Sequence, residues 1–143
     1  MPPLKIAVDL ASLRMPFKQA LLAAKRLGAE AVEIDARGEI NPQELSQSGR
    51  RQLRKMLDDL DLRVAAIGFR TRRGYDAPQE LERRIEATKR AMEFAYSLCA
   101  SLVVNQIGRV PEKPEGPAWT TLIEALIDEQ KNKNDTGIKK MGF

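Results

Sequence analysis

A strand-like apolar run, a turn and a segment with helical periodicity recur four times in this chain, after which the pattern stops. The runs are Leu4–Val8, Ala31–Ile34, Val64–Phe69 and Leu102–Asn105. Their alternation with helical segments predicts right-handed βαβ units and a parallel sheet. A closed (β/α)8 barrel takes about 250 residues, so a chain of 143 residues is expected to form the parallel (β/α)4 half of one, an α/β fold truncated after the fourth helix.

The punctuation of each unit supports this reading. Leu4, Ile6 and Val8 alternate with Lys5 and Ala7 up to Asp9, and Met15-Pro16 opens a first helix in which Phe17, Ala20, Leu21, Ala24 and Leu27 share one face before Gly28. Asn41-Pro42 predicts the start of a second helix with the stripe Leu45, Leu53, Met56, Leu57 and Leu60, and Ser48-Gly49 is a weak point that favours a later start. The strand Val64–Phe69 is continuously apolar, as a parallel strand covered on both sides should be. Asp76-Ala77-Pro78 predicts the start of the longest helix, with Leu81, Ile85, Thr88, Met92, Ala95 and Leu98 inward and Glu82, Arg83, Arg84, Glu86, Lys89 and Arg90 outward. Trp119, Leu122, Ile123, Leu126 and Ile127 form a fourth stripe. Leu27, Leu60 and Leu98 each close a helix just before the next apolar strand, an internal echo of stacked units.

Composition narrows the class. With 43% hydrophobic, 31% charged and only 5% aromatic residues, the core of a soluble domain must be aliphatic. No apolar run approaches the length of a membrane span and no secretory signal layout opens the chain, so a cytoplasmic address is expected. The lone Cys99 cannot form an internal disulfide; with no histidine to activate it, it reads as a small core residue. No cluster suits a bound metal. The net charge of +4 is read as a solvated helical surface, with no nucleic-acid partner and no membrane partner. No phosphate-cradling glycine motif is present.

In α/β barrels the chemistry lies beyond the carboxyl ends of the strands. The polar residues expected there are Asp9; Glu33, Asp35 and Arg37; Arg70, Arg72 and Arg73; and Asn105, Gln106 and Arg109. Acids and amides at these mouths can orient a polyol, and clustered guanidiniums suit a phosphate or carboxylate. Each has a plainer alternative: the arginines as a solvated loop, Glu33 as a paired core residue, and Asn105 and Gln106 as partners of loop backbone groups.

The tail departs from the body. The Lys- and Asn-rich run after Asp128 contains no recognisable fifth strand, so residues 1–129 are expected to form the half-barrel and residues 130–143 an atypical, disordered tail of frameshifted or truncated origin.

Four segments carry a family resemblance: Lys5-Ile6-Ala7-Val8-Asp9, Gly28-Ala29-Glu30-Ala31-Val32-Glu33-Ile34, Arg63 to Phe69, and Ser101-Leu102-Val103-Val104-Asn105-Gln106-Ile107-Gly108. They resemble the first four strands of xylose isomerase-like TIM barrels, in particular the sugar phosphate isomerase/epimerase proteins of that superfamily. The resemblance implies metal-assisted isomerisation or epimerisation of a sugar or sugar phosphate, with a divalent ion (Mn, Mg, Co or Zn) held by Glu, Asp, His and Glu residues from the second half of the barrel. This chain lacks that half and any histidine. The expectation is therefore a chain without its own cofactor and without the parent activity. The alternative is a stand-alone or homodimeric half-barrel that binds a phosphorylated small molecule through Arg70–Arg73, two copies closing their open sheet edges in competition with aggregation.

Overall fold

In a computed structural model, which describes residues 2–136 and 139–142, strands and helices alternate along the chain. The strands are β1 (Ala7–Asp9), β2 (Ala31–Asp35), β3 (Arg63–Phe69), β4 (Leu102–Asn105) and β5 (Lys139–Gly142). The helices are α1 (Phe17–Arg26), α2 (Gln47–Asp59), α3 (Leu81–Ser97) and α4 (Pro117–Thr136). The sheet is parallel, in the order β1-β2-β3-β4-β5. This is the half-barrel expected from the alternating pattern.

The sheet register sorts the side chains onto two faces. Asp9 pairs with Glu33, Glu33 with Ala66, Asp35 with Gly68, and Phe69 with Asn105. Alternation along the strands then turns Val32, Ile34, Ile67, Phe69 and Val103 toward the helices, where all are buried. Ala20, Leu21 and Ala24 of α1, Leu53 and Leu57 of α2, and Ala91, Met92, Phe94 and Ala95 of α3 complete this layer, which is mainly aliphatic with Phe69 and Phe94 among its members. Removing each large side chain from water contributes about 1.5–3 kcal/mol. Ala31, Glu33, Asp35, Gly68, Leu102 and Val104 lie on the opposite face and are only partly covered.

The internal echo has a structural basis. After Leu27, Leu60 and Leu98 come Gly28, Asp61 and Cys99, all left-handed with φ of +81°, +51° and +58°. The N–H groups of these residues donate to Lys25, Asp58 and Tyr96, each at 3.0 Å, and the next N–H groups donate to Ala24, Leu57 and Ala95 at 3.1, 2.9 and 2.9 Å. This double bond pattern satisfies the last carbonyls of each helix and turns the buried Ala29, Leu62 and Ala100 inward. Cys99 thus repeats the position of Gly28, but it is exposed rather than part of the core. At this cap the residue that follows the left-handed position is the one that faces the sheet.

Several boundaries differ from the expectation. β1 is short, and Leu4 and Ile6 are 84% and 50% exposed, since neither lies opposite a residue of β2. Asn41 does not start α2; its side chain accepts from Gln43 N at 3.1 Å to close a turn, and the cap is Ser46, whose hydroxyl accepts from Gly49 N at 3.1 Å. α3 begins at Leu81, after left-handed Glu80. In α4, Leu122 and Ala125 are buried, whereas Ile127 is 50% exposed.

The expected absence of a strand after β4 is corrected. α4 continues across residue 129 to Thr136, and β5 pairs in parallel with β4, Val103 opposite Lys140. A crossover helix returns the chain to the open edge of β4, where backbone groups await partners whatever the side chains. Gly137, Ile138 and Phe143 of the expected tail lie outside the described residues.

Two glycines join the last loops. A Cβ at Gly108, where φ is +84°, would lie 2.3 Å from Gly74 Cα, and beside this contact Tyr75 N donates to Ile107 O at 3.0 Å. Gly108→Ala is expected to lower stability by more than about 2 kcal/mol, read as an earlier urea midpoint. Cys99→Gly, by contrast, should relieve a left-handed Cβ and raise stability by about 1 kcal/mol, seen as a Tm a few degrees higher.

Candidate functional site at the carboxyl ends of the strands

Glu33 occupies the middle of the exposed face at the mouth of the half-barrel. It stands beside Asp9 of β1, two residues from Asp35 on its own strand, and its carboxylate lies across β3 at Gly68. A Cβ at Gly68 would come within 2.9 Å of Glu33 Oε1, so the glycine makes room for the carboxylate. Partial burial is the main reason that the Glu33 carboxyl titrates above its usual range; Asp9 pushes it further up, Arg70 opposes, and Asp35 adds a smaller push. Three acids and one guanidinium thus meet at one mouth.

The acids on either side of Glu33 also serve their own loops. Asp9 Oδ1 accepts from Ala11 N at 3.1 Å and caps a single 3-10 turn, Leu10–Leu13. Asp35 Oδ1 accepts from Arg37 N at 3.0 Å. Each carboxylate orders the turn that follows its strand while remaining beside Glu33. The donors do not fit a divalent ion: among the described residues no group of three or more His, Cys, Asp or Glu side chains is placed to hold one.

The remaining sequence-predicted residues separate. Arg37 leaves the mouth, its guanidinium donating to Arg70 O at 2.6 Å and lying 5.7 Å from the centroid of the Phe69 ring. Arg72 and Arg73 line a groove beside α3 instead of joining Arg70. Asn105 points into the helix layer, fully buried, where its amide donates to Tyr75 Oη at 2.5 Å and Thr88 Oγ1 at 3.2 Å. Tyr75 and Thr88 hydroxyls are themselves 2.6 Å apart, and burial raises the Tyr75 phenol despite both hydrogen bonds. This network fixes β4 to α3 and to the β3–α3 loop. The Gln106 side chain is exposed while its carbonyl accepts from Thr71 Oγ1 at 3.2 Å, and Arg109 is exposed in a 3.7 Å pair with Glu112.

Some contributors carried no local signal. Glu39 Oε2 accepts from Phe17 N at 2.8 Å, so the start of α1, where Pro16 offers no side-chain cap, is held by the loop after β2. Arg84, expected to face water, is half-buried and donates to the carbonyls of Gly74, Ala77 and Gln79, holding the loop before α3. Lys89 likewise turns inward, 3.1 Å from Asp128 of α4. Each partner is distant in sequence or is a backbone carbonyl, which spacing along a helix does not reveal.

The geometry has counterparts among known proteins. A xylose isomerase domain protein from Planctomyces limnophilus superposes with a TM-score of 0.80 at 17% identity, over 99% of this chain and 55% of that one. A xylose isomerase-like TIM barrel protein from Mycobacterium smegmatis, solved in complex with magnesium, gives 0.76 at 17% identity over 96% and 54%. A D-tagatose 3-epimerase-like protein gives 0.74 at 18% identity over 97% and 52%. The chain thus spans about half the length of these structures. None of the described helices is long and apolar enough to cross a membrane, and no protein of curated function matches the sequence significantly. The xylose isomerase-like TIM barrel family matches residues 21–128, from inside α1 to α4, and the chain belongs to that family.

Proposed function

We propose that this chain supplies the amino-terminal half of a sugar isomerase- or epimerase-type barrel, whose mouth binds a polyol through Glu33. The observation that carries the reading is the partly buried Glu33 carboxylate, held above its usual pKa beside Asp9 and facing Arg70. A carboxyl held above its usual range keeps its proton to higher pH than an exposed one, so it can donate a hydrogen bond to a sugar oxygen as well as accept one. Asp9, Asp35 and Arg70 would orient the remaining hydroxyls. Solved structures of similar fold include D-psicose 3-epimerase with D-fructose, which makes ketohexoses the first ligands to try. In this reading the sugar or sugar phosphate is a cytoplasmic metabolite, and turnover is not expected of these 143 residues by themselves, which span about half the length of the similar structures. The open edge of β1 leaves room for a homodimer, which light scattering would register as a double-mass species.

A second reading draws on the arginines of the β3–α3 loop. Arg70, Arg72 and Arg73 are exposed, and they suit a phosphorylated ligand independently of sugar turnover.

Two outcomes test the polyol reading. Titration of the chain with D-fructose or D-psicose, followed by NMR shifts at Glu33 and Gly68, should show saturable binding that Glu33→Ala weakens about tenfold. With added manganese, chromatography should detect no interconversion; turnover by this chain alone would overturn its assignment as half of a site. A separate expectation concerns pH. Because the folded-state pKa of Glu33 lies above its ordinary 4.5, the native state binds the proton more tightly than the unfolded chain does. The associated stability is complete below pH 4.5 and is lost as pH rises through the folded value. Glu33→Gln should therefore raise the urea midpoint at pH 7, and its advantage should vanish in acid.

A further inference from the structure

We propose that the groove between the β2–α2 loop and the outer face of α3 is a binding site for a diphosphate-bearing small molecule, separate from the polyol mouth. The inference deepens the anion reading of the β3–α3 loop and rests on it, but it moves the site. Arg70 acts on Glu33 at the mouth, whereas Arg72 and Arg73 turn away to line this groove.

The groove has a volume of about 560 Å³, within the range that holds a small ligand. Six arginines line it, Arg37, Arg72, Arg73, Arg83, Arg84 and Arg90, against two carboxylates, Glu80 and Glu86. That excess equals the whole chain's formal charge of +4, so the rest of the chain is balanced. Residues that lie far apart along the sequence, Arg37 in one loop and Arg90 on α3, are thus brought to one groove by the fold. Both acids have cationic neighbours: Glu80 lies 3.7 Å from Arg83 and Glu86 lies 3.5 Å from Lys89.

The groove is partly preorganised. Arg37 is held by the Arg70 carbonyl and the Phe69 ring, and Arg84 by three loop carbonyls. Phe69 and Ala36, 8% and 1% exposed, form an apolar floor. Arg72 and Arg73 of the β3–α3 loop and Arg90 of α3 stand exposed along the lining. Guanidinium forks approaching from a loop and from a helix match the oxygens of two linked phosphates, and fixed walls reduce the ordering that binding must impose.

The test is calorimetric titration of the full chain with pyrophosphate at near-physiological salt, with circular dichroism to verify the fold of each variant. One-to-one binding is expected. Arg73→Ala combined with Arg90→Ala, one residue from the loop and one from the helix, should weaken it by tenfold or more, at least the effect of one lost charge-assisted contact. Arg70→Ala at the mouth, and Arg51→Ala with Arg54→Ala on α2, should change it little. If Arg70→Ala abolishes binding while the groove variant retains it, the groove is overturned and the loop reading stands. If every arginine variant weakens binding equally, the attraction is diffuse charge and the site is overturned. Absence of saturable binding overturns the groove and the loop reading together, leaving the polyol reading untouched.

Discussion

Everything in this molecule depends on the burial of one face of a parallel sheet beneath its helices. Val32, Ile34, Ile67, Phe69 and Val103 must all face the same way to join α1, α2 and α3 in the aliphatic layer. Because side chains alternate along a strand, that requirement sends Glu33 and Asp35 to the opposite face. The polar mouth is thus the other half of the packing solution. A shift of one residue in β2 would place Glu33 in the apolar layer and Ile34 in water, at a cost far beyond what a single carboxylate contributes.

The turns that end the helices keep the layer in register. Three successive units use the same left-handed cap at Gly28, Asp61 and Cys99, and three buried residues follow it into the next strand. Only one of the three is glycine, so the backbone geometry is imposed by the pair of hydrogen bonds and by the buried residue that follows. At the opposite end of the strands the loops are tied across units: Glu39 holds the start of α1, Arg37 holds the Arg70 carbonyl, and Thr71 and Tyr75 hold the loop after β4. The carboxyl ends therefore form a connected rim on which Glu33 and Arg70 are positioned.

The fold was legible to different depths along the chain. β2, β3 and β4 follow from runs of valine, isoleucine and alanine, and the helix stripes at Leu53, Leu57, Ile85 and Met92 follow from a period near 3.6. β5 was not legible, because Lys139–Gly142 carries no strand pattern, although its backbone pairs in register with β4. The site was legible as a location, since polar residues ending apolar strands stand out. Its membership was not. Asn105 and Glu33 look alike in sequence, each a polar residue in or at the end of a strand, yet the register turns one into the helix layer and the other to the open mouth.

Two things were therefore decided at different levels. The amino-acid sequence determined the alternation of strands and helices, the aliphatic core and membership of the xylose isomerase-like TIM barrel family, because these rest on short-range periodicity and local caps. Only the tertiary structure decided that Asp9, Glu33, Asp35 and Arg70 meet at one mouth while Arg72, Arg73 and Arg90 meet in another groove. Which charges become neighbours depends on strand register and on the direction in which each loop leaves the sheet, and neither is encoded in the spacing of residues along the chain.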